Sequence, residues 1–397
     1  MKILHINTSD RGGAATACIR IHKALLDANI DSKVLVLHKR GHDHEVYQFN
    51  YWENTRSIFH SIQKRIKLYL YKRKMRKLYQ SLPPHTIEFS FPNTIYDITE
   101  HPLYKEADLI QLNWITEFVD EPSFFTKNKK PLVWRMSDLY ACGGGNHYET
   151  GFPFESFKKY LSENYKIREK ALQNQDLHLV PISRWAEQKA QESSLLKKYP
   201  TKVIHNGVDL NVFKPYDKAY SRYLWQIPTD KTVILVGGGT VKYPRKGIML
   251  LLDVLKKWNR DDVHFCCFGD NDSLEDDRVQ ALGGVHDERL LATLYSAVDF
   301  FLMTSLEETF GQVTLESIAC GTPVISFPNG GSRDIIKDGI NGVLTEDFTA
   351  ESLFDGIEKA LAQSFDREVI RKDAVSRFNI DDKAQEYIDL YRQILNK

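Results

Sequence analysis

Short aliphatic runs alternate with amphipathic stretches along most of this chain, and the alternation starts over near its middle. Residues 3–6 read as a strand, Asn7 to Gly13 as a polar turn, and 14–28 as a helix carrying Cys18, Ile21 and Leu25 on one stripe. Residues 34–37 form an unbroken aliphatic run, the pattern of a parallel strand covered on both faces. Further strands are predicted at 108–112, 132–134 and 177–182, and helices at 157–173 and 184–196. The stretch from Asn206-Gly207-Val208-Asp209 to Phe213-Lys214-Pro215 reads as a turn-rich connector. Beyond it, strands are predicted at 233–236, 263–268, 300–303 and 323–327, with helices between. Two successive α/β halves predict two Rossmann-like domains rather than a closed barrel. They are placed at 1–208, with 378–397 crossing back to it, and at 209–377.

Composition narrows the class. The 397 residues exceed what one core usually supports, and 42% apolar with 27% charged residues is ordinary for a globular enzyme. The formal net charge is zero, so no polyanion partner is implied for the chain as a whole, and nucleic acid is not expected. No apolar run approaches the roughly 18 residues that cross a bilayer. The segment Met1-Lys2-Ile3-Leu4-His5-Ile6-Asn7 is too short and polar for a signal peptide. The cysteines Cys18, Cys142, Cys266, Cys267 and Cys320 show no zinc or redox spacing, and reduced cysteines in a cytoplasmic chain are expected.

The chemistry concentrates where strands end. After the strand at 300–303 comes Thr304-Ser305-Leu306-Glu307-Glu308-Thr309-Phe310-Gly311-Gln312-Val313-Thr314-Leu315-Glu316-Ser317-Ile318-Ala319-Cys320-Gly321. Open α/β sheets bind ligands at this carboxyl edge. Glu308 precedes the predicted helix and Glu316 lies inside it; Gly311 permits close backbone approach, and the helix start offers free N–H groups to an anion. A capped surface helix with two incidental carboxylates is the structural alternative. A second such segment is Val236-Gly237-Gly238-Gly239-Thr240-Val241-Lys242-Tyr243-Pro244-Arg245-Lys246-Gly247, a strand, a glycine-rich turn and then two cations before a helix. Cations just before a helix start favour an anionic group there. In the first half, Gly12-Gly13 opens a helix, and Trp134-Arg135-Met136-Ser137-Asp138 leads into a glycine run ending at Asn146-His147. Asp138 is a candidate site residue; His147 reads either as a side chain reaching the same cleft edge or as a loop histidine bonded to backbone.

With its continuation through Gly321-Thr322-Pro323-Val324-Ile325, Asn329-Gly330-Gly331-Ser332-Arg333-Asp334 and Asp338-Gly339-Ile340-Asn341-Gly342-Val343-Leu344, the first of these segments resembles the signature of glycosyltransferase family 4. That family is retaining and has the GT-B fold, two Rossmann-like domains with a cleft between them. The resemblance implies that Glu308 contacts the donor sugar and Glu316 the ribose hydroxyls, with Phe310 and Gly311 beside them, and that Lys246 binds phosphate. The family often carries an arginine where this chain has Gly238, so Arg245 or Arg333 would supply the second positive charge. Gly12 and Gly13 resemble the loop that approaches the donor or acceptor, and Ser137 stands where many relatives have a histidine.

By the same resemblance the first domain binds acceptor and the second the nucleotide sugar. The chain would be a hexosyltransferase-type enzyme moving a sugar from a nucleotide-diphosphate sugar to a glycan or polyprenyl-linked glycan, in bacterial surface polysaccharide synthesis. No cofactor is implied beyond the donor. Asp270-Asn271-Asp272 imitates an Asp-x-Asp metal motif but reads as a solvated acidic loop, so no catalytic metal is expected. A sugar-nucleotide epimerase and a catalytically silent sugar-binding protein are the alternatives on the same domains. One segment belongs to neither domain's chemistry. Residues 64–79 hold eight cations and no anion, with apolar positions 62, 66, 69 and 70 on one face and a less regular continuation through Met75, Leu78 and Tyr79. A basic helix of this kind suits peripheral contact with an anionic membrane at the cytoplasmic face, or a solvated or acceptor-binding surface.

Overall fold

The computed structural model describes residues 1–52, 57–84, 88–237, 243–269 and 276–396. Two compact units emerge: Met1–Ile182 with Ala186–Ile204 and Ala384–Lys397, and Ser183–Trp185 with His205–Lys383.

In the first unit the strands are β1 Lys2–Ser9, β2 Asp31–His38, β3 Val46–Gln48, β4 Leu109–Leu112, β5 Leu132–Met136 and β6 Leu177–Pro181. Among the described residues they form one six-stranded sheet in the order β3-β2-β1-β4-β5-β6, every pair parallel. Parallel strands need helical crossovers, and these cover both sheet faces, which is why the aliphatic runs are continuous. Leu4, Ile6, Ile110, Leu112, Trp134 and Leu179 point into the larger core, while Cys18, Ile19, Val34 and Val36 fill the other side. The order reverses direction between β1 and β4, the switch point at which open sheets leave a crevice.

The second unit repeats the plan with β7 Thr232–Gly237, β8 Val263–Phe268, β9 Val279–Ala281, β10 Phe300–Met303, β11 Val324–Ser326 and β12 Gly342–Leu344. Its order is β12-β11-β10-β7-β8-β9, again parallel throughout, with the switch point between β7 and β10. Ile234, Val236, Phe265, Leu302 and Ile325 meet Leu251, Leu255, Leu353 and Ile357 from the covering helices. The chain's last helix, Ile380–Leu395, brings Tyr387 and Tyr391 into the first unit, where they are fully buried and Tyr391 donates to the Gln111 side chain. No helix among the described residues is long and apolar enough to cross a membrane.

Polar groups within the first core set its response to acid. His5 on β1 is fully buried, neither ring nitrogen has a hydrogen-bond partner, and the His22 ring lies 6.2 Å away. Burial, with the neighbouring His22 ring and the Arg135 guanidinium disfavouring a second charge, holds His5 well below the usual imidazole value; burial also lowers His22. Both rings are therefore neutral when folded and protonate more readily when unfolded. Their contribution is complete above about pH 6.5 and is lost as pH falls below it, because the unfolded chain then binds more protons. The His5 part of the slope is up to about 1.4 kcal/mol per pH unit. Urea unfolding between pH 7.5 and 5 should show it, and His5→Leu should flatten it; an unchanged slope in that variant would exclude His5 as the source.

Candidate active site

At the switch point of the second unit, two loops bring opposite charges together. The loop after β7 ends in a short turn, Pro244–Lys246, and the helix Ile248–Lys257 follows. The loop after β10 leads through Glu308 to the helix Gln312–Ala319. Lys246 Nζ donates to Glu308 Oε1, Ser305 Oγ donates to the same oxygen at 3.1 Å, and the Arg245 guanidinium lies 3.7 Å from it. Burial alone would raise the Glu308 carboxyl. The charges of Lys246 and Arg245, with hydrogen bonds from Lys246 and Ser305, outweigh it and hold the group below the usual carboxylate range.

Backbone contacts fix this pair. Thr304 Oγ1 donates to the Lys246 carbonyl at 2.7 Å, and the Leu306 N–H donates to the Arg245 carbonyl at 2.7 Å. Gly247 has φ +66°, and a Cβ there would meet the Thr304 carbonyl oxygen at 2.0 Å, so only glycine allows the loops this close. A third loop, after β11, closes on the second. The Gly331 N–H donates to the Glu308 carbonyl at 2.9 Å, and Asn329 Nδ2 donates to the Ser305 carbonyl at 2.8 Å.

Both helix starts are built for an anion. Neither Ile248–Lys257 nor Gln312–Ala319 has a side-chain cap, and neither has an acidic residue in its first turn. At the start of the second, Thr309 Oγ1, Thr314 Oγ1 and both amide atoms of Gln312 are buried without a protein hydrogen-bond partner. Buried polar groups are normally satisfied, and these three side chains at one helix start are exceptions to that rule. Glu316 is buried on the same helix, and Tyr295 OH donates to its Oε2 at 3.3 Å. Phe310 is buried against His205, with ring centroids 5.6 Å apart.

The sequence candidates divide accordingly. Lys246, Arg245 and Glu308 form one cluster, and Phe310, Gly311 and Glu316 lie along its loop and helix. Arg333 is exposed and donates from Nε to the Pro328 carbonyl at 2.8 Å, so it is Arg245 that lies beside Glu308. Gly238 and the stretch Asp270-Asn271-Asp272 lie outside the described residues. Among those described, no group of three or more His, Cys, Asp or Glu could hold a metal ion.

Asp138, Gly12 and Gly13 belong to the first unit. Asp138 follows β5 and is buried; its Oδ2 lies 2.6 Å from His147 Nδ1 and accepts from Trp114 Nε1 at 3.0 Å. The other ring nitrogen of His147 meets Ser90 Oγ at 2.9 Å, and the ring stacks on Tyr140. His147 is thus a side-chain partner of Asp138. Gly12 has φ +97° and begins the helix Gly13–Asp27 with no side-chain cap; a Cβ on either glycine would meet nothing within 4 Å. That first-turn backbone is therefore open to approach. Ser305, Asn329, Thr309 and Gln312 were not candidates in the sequence, although each stands within the quoted motifs.

Two parallel Rossmann-like units, the second with a cation–carboxylate cluster at its switch point, define a fold of the GT-B glycosyltransferase type. Residues 230–363, about a third of the chain, match the family model described as Glycosyl transferases group 1. A D-inositol 3-phosphate glycosyltransferase of Geodermatophilus obscurus is 34% identical over 168 residues, which is 37% of this chain and 37% of that protein. The matched region thus spans little more than a third of that relative's length. Among solved structures, a sucrose-phosphate synthase from Thermosynechococcus elongatus superposes with a TM-score of 0.71 at 19% identity, covering 100% of both chains. HepE of Anabaena, in complex with UDP and glucose, superposes with a TM-score of 0.69 at 20% identity, covering 98% of this chain and 99% of that one.

Proposed function

We propose that the chain transfers a hexosyl group from a nucleotide-diphosphate sugar to a hydroxyl of a glycan or polyprenyl-linked glycan, with retention and without a metal. The observation that carries this reading is the Lys246–Glu308 pair set between two uncapped helix starts at the β7/β10 switch point. Cations and free N–H groups there suit a diphosphate, and a carboxylate beside them suits the hydroxyls of the attached sugar. The family match over 230–363 and the UDP-bound neighbour support a nucleotide sugar as donor.

In the reaction, the bond between the anomeric carbon and the phosphate oxygen breaks, and the nucleoside diphosphate leaves with the electron pair. The acceptor hydroxyl bonds to the same face of that carbon and gives its proton to a departing phosphate oxygen. Lys246 and Arg245 stabilise the charge growing on the leaving group, which matters more in the transition state than before it. Glu308 orients the sugar ring through its hydroxyls, and Glu316 accepts from the ribose. Asp138, Gly12 and Gly13 are assigned to the acceptor side or to the donor's diphosphate, and Phe310, Gly311, Gly238 and Arg333 to donor binding. Peripheral contact of 64–79 with an anionic membrane would bring a lipid-linked acceptor to the enzyme, and bacterial surface polysaccharide is the product class that fits.

Thermal-shift screening of the full chain against nucleotide sugars tests the donor. One nucleotide series should raise the melting temperature, and Glu316→Ala should weaken that donor at least ~10-fold, the loss of one charge-assisted contact of about 1.5 kcal/mol. No stabilisation by any nucleotide sugar, or undiminished affinity in the variant, would remove the corresponding assignment. Incubation with donor alone addresses the epimerase: isomerisation without acceptor would replace the transferase reading.

A further inference from the structure

The helix Ile58–Gln80 runs for 23 residues without burying one of them, and it carries two apolar stripes rather than one. At about 100° per residue, Ser61, Lys64, Leu68, Tyr71, Met75 and Leu78 share a face, and with His60 these are the half-buried positions. Met75 and Leu78 pack on the cluster of Phe89, Phe91, Phe152 and Phe157, and Lys64 Nζ donates to the Tyr51 carbonyl at 3.0 Å. This stripe holds the helix on the first unit. The opposite face carries Ile58, Phe59, Ile62, Ile66, Tyr69 and Leu70, all exposed, from 49% at Ile62 to 83% at Ile58.

The charges are arranged around that outer face. Arg65 and Lys72 flank it on one side and Lys67 and Lys74 on the other, while Arg73, Arg76 and Lys77 extend it toward the helix C-terminus. From 58 to 80 there are eight lysines and arginines and no acidic residue. A contiguous exposed apolar stripe is uncommon on a soluble surface and marks an interaction site. Cations along both borders select its occupant. An apolar stripe can sink to the headgroup–acyl boundary of a bilayer while lysine and arginine stems reach back to anionic headgroups. A nucleic acid would use the cations but leave the apolar stripe in water.

We infer that the outer face of Ile58–Gln80 is a docking surface for an anionic lipid bilayer, with Ile58, Phe59, Ile62, Ile66 and Leu70 entering the interface. The helix is already held on the first unit by its inner stripe, so binding does not have to fold it. The inference deepens the proposed membrane contact by naming the inserting face. It rests on the lipid-linked acceptor reading only for its purpose, not for its evidence.

Co-sedimentation of the full chain with vesicles tests it. Vesicles of phosphatidylcholine with about 30% phosphatidylglycerol should bind at least ~10-fold more tightly than phosphatidylcholine alone. The combined Ile62→Ser, Ile66→Ser, Leu70→Ser variant should lose about 10-fold at unchanged charge, and Lys67→Gln, Lys72→Gln, Lys74→Gln a similar factor. These positions are exposed, and equal melting temperatures confirm that the fold is kept. Equal binding to both vesicle types, or none, would overturn the inference. So would an apolar variant that binds like the parent, or a single-stranded oligonucleotide that binds more tightly than the anionic vesicles. Donor binding, measured in parallel, separates the two readings: vesicle binding without donor binding defeats the transferase and leaves this surface standing, and the converse holds.

Discussion

On the proposed transfer, Lys246→Ala should lower turnover at saturating donor by at least ~100-fold, about 2.7 kcal/mol, the effect of losing one preorganised group at a developing charge. The size follows from how little the ammonium has to move. Its backbone is bonded to Thr304, its neighbour Gly247 admits no side chain, and its Nζ already sits on Glu308. A diphosphate arriving between the two helix starts would compete with Glu308 for that ammonium, so little of the interaction is spent on ordering a flexible side chain. The variant should remain folded. Glu308 keeps Ser305 at 3.1 Å and the Arg245 guanidinium at 3.7 Å, so its carboxylate does not become an isolated buried charge. Single-turnover rates beside melting temperatures make the test. Turnover within a few-fold of the parent at an unchanged melting temperature would reject Lys246 as the stabiliser of the leaving group.

Central strands were legible because a strand covered on both faces must be apolar at nearly every position, and 34–37, 263–268 and 300–303 are. The edge strands Val46–Gln48, Val279–Ala281 and Gly342–Leu344 have three residues each and leave no period to read. In the long basic helix, the positions 62, 66, 69 and 70 do share one face. Met75 and Leu78, which looked like its irregular continuation, belong to the inner stripe, and only the phenylalanine cluster they meet separates the two. At the candidate site, Lys246 and Glu308 were legible from their motifs, 62 residues apart. Ser305 and Asn329 were not, because a polar loop residue announces no role until tertiary structure gives it a partner. The same holds for the His147–Asp138 contact, formed by a glycine-rich loop whose path no local pattern sets.

That loop depends on a buried ion pair, and breaking it should cost more than any surface change. Arg168, within the helix Phe154–Ala171, is fully buried; its Nε donates to Glu121 Oε2 at 2.9 Å. Its NH1 donates to the carbonyls of Tyr140 and Gly143, its guanidinium lies 4.5 Å from the Tyr140 ring centroid, and Tyr140 OH donates to Glu121 Oε1 at 2.5 Å. Burial disfavours the charged guanidinium, but Glu121 and Tyr140 more than restore it, so Arg168 keeps its proton. Glu121→Ala then strands a buried cation and should destabilise the first unit by about 3–5 kcal/mol, a large part of a domain's usual 5–15 kcal/mol. Glu121→Gln, which can still accept from Tyr140, should lose less. Pairing Glu121→Leu with Arg168→Met removes both charges, so its cost should fall well below the sum of the two single changes. Urea unfolding followed by aromatic circular dichroism measures these variants and the two single changes Glu121→Leu and Arg168→Met. A loss under ~1 kcal/mol for Glu121→Ala, or simple additivity in the double variant, would mean that the pair does not hold Tyr140 and Gly143, and with them Asp138, in place.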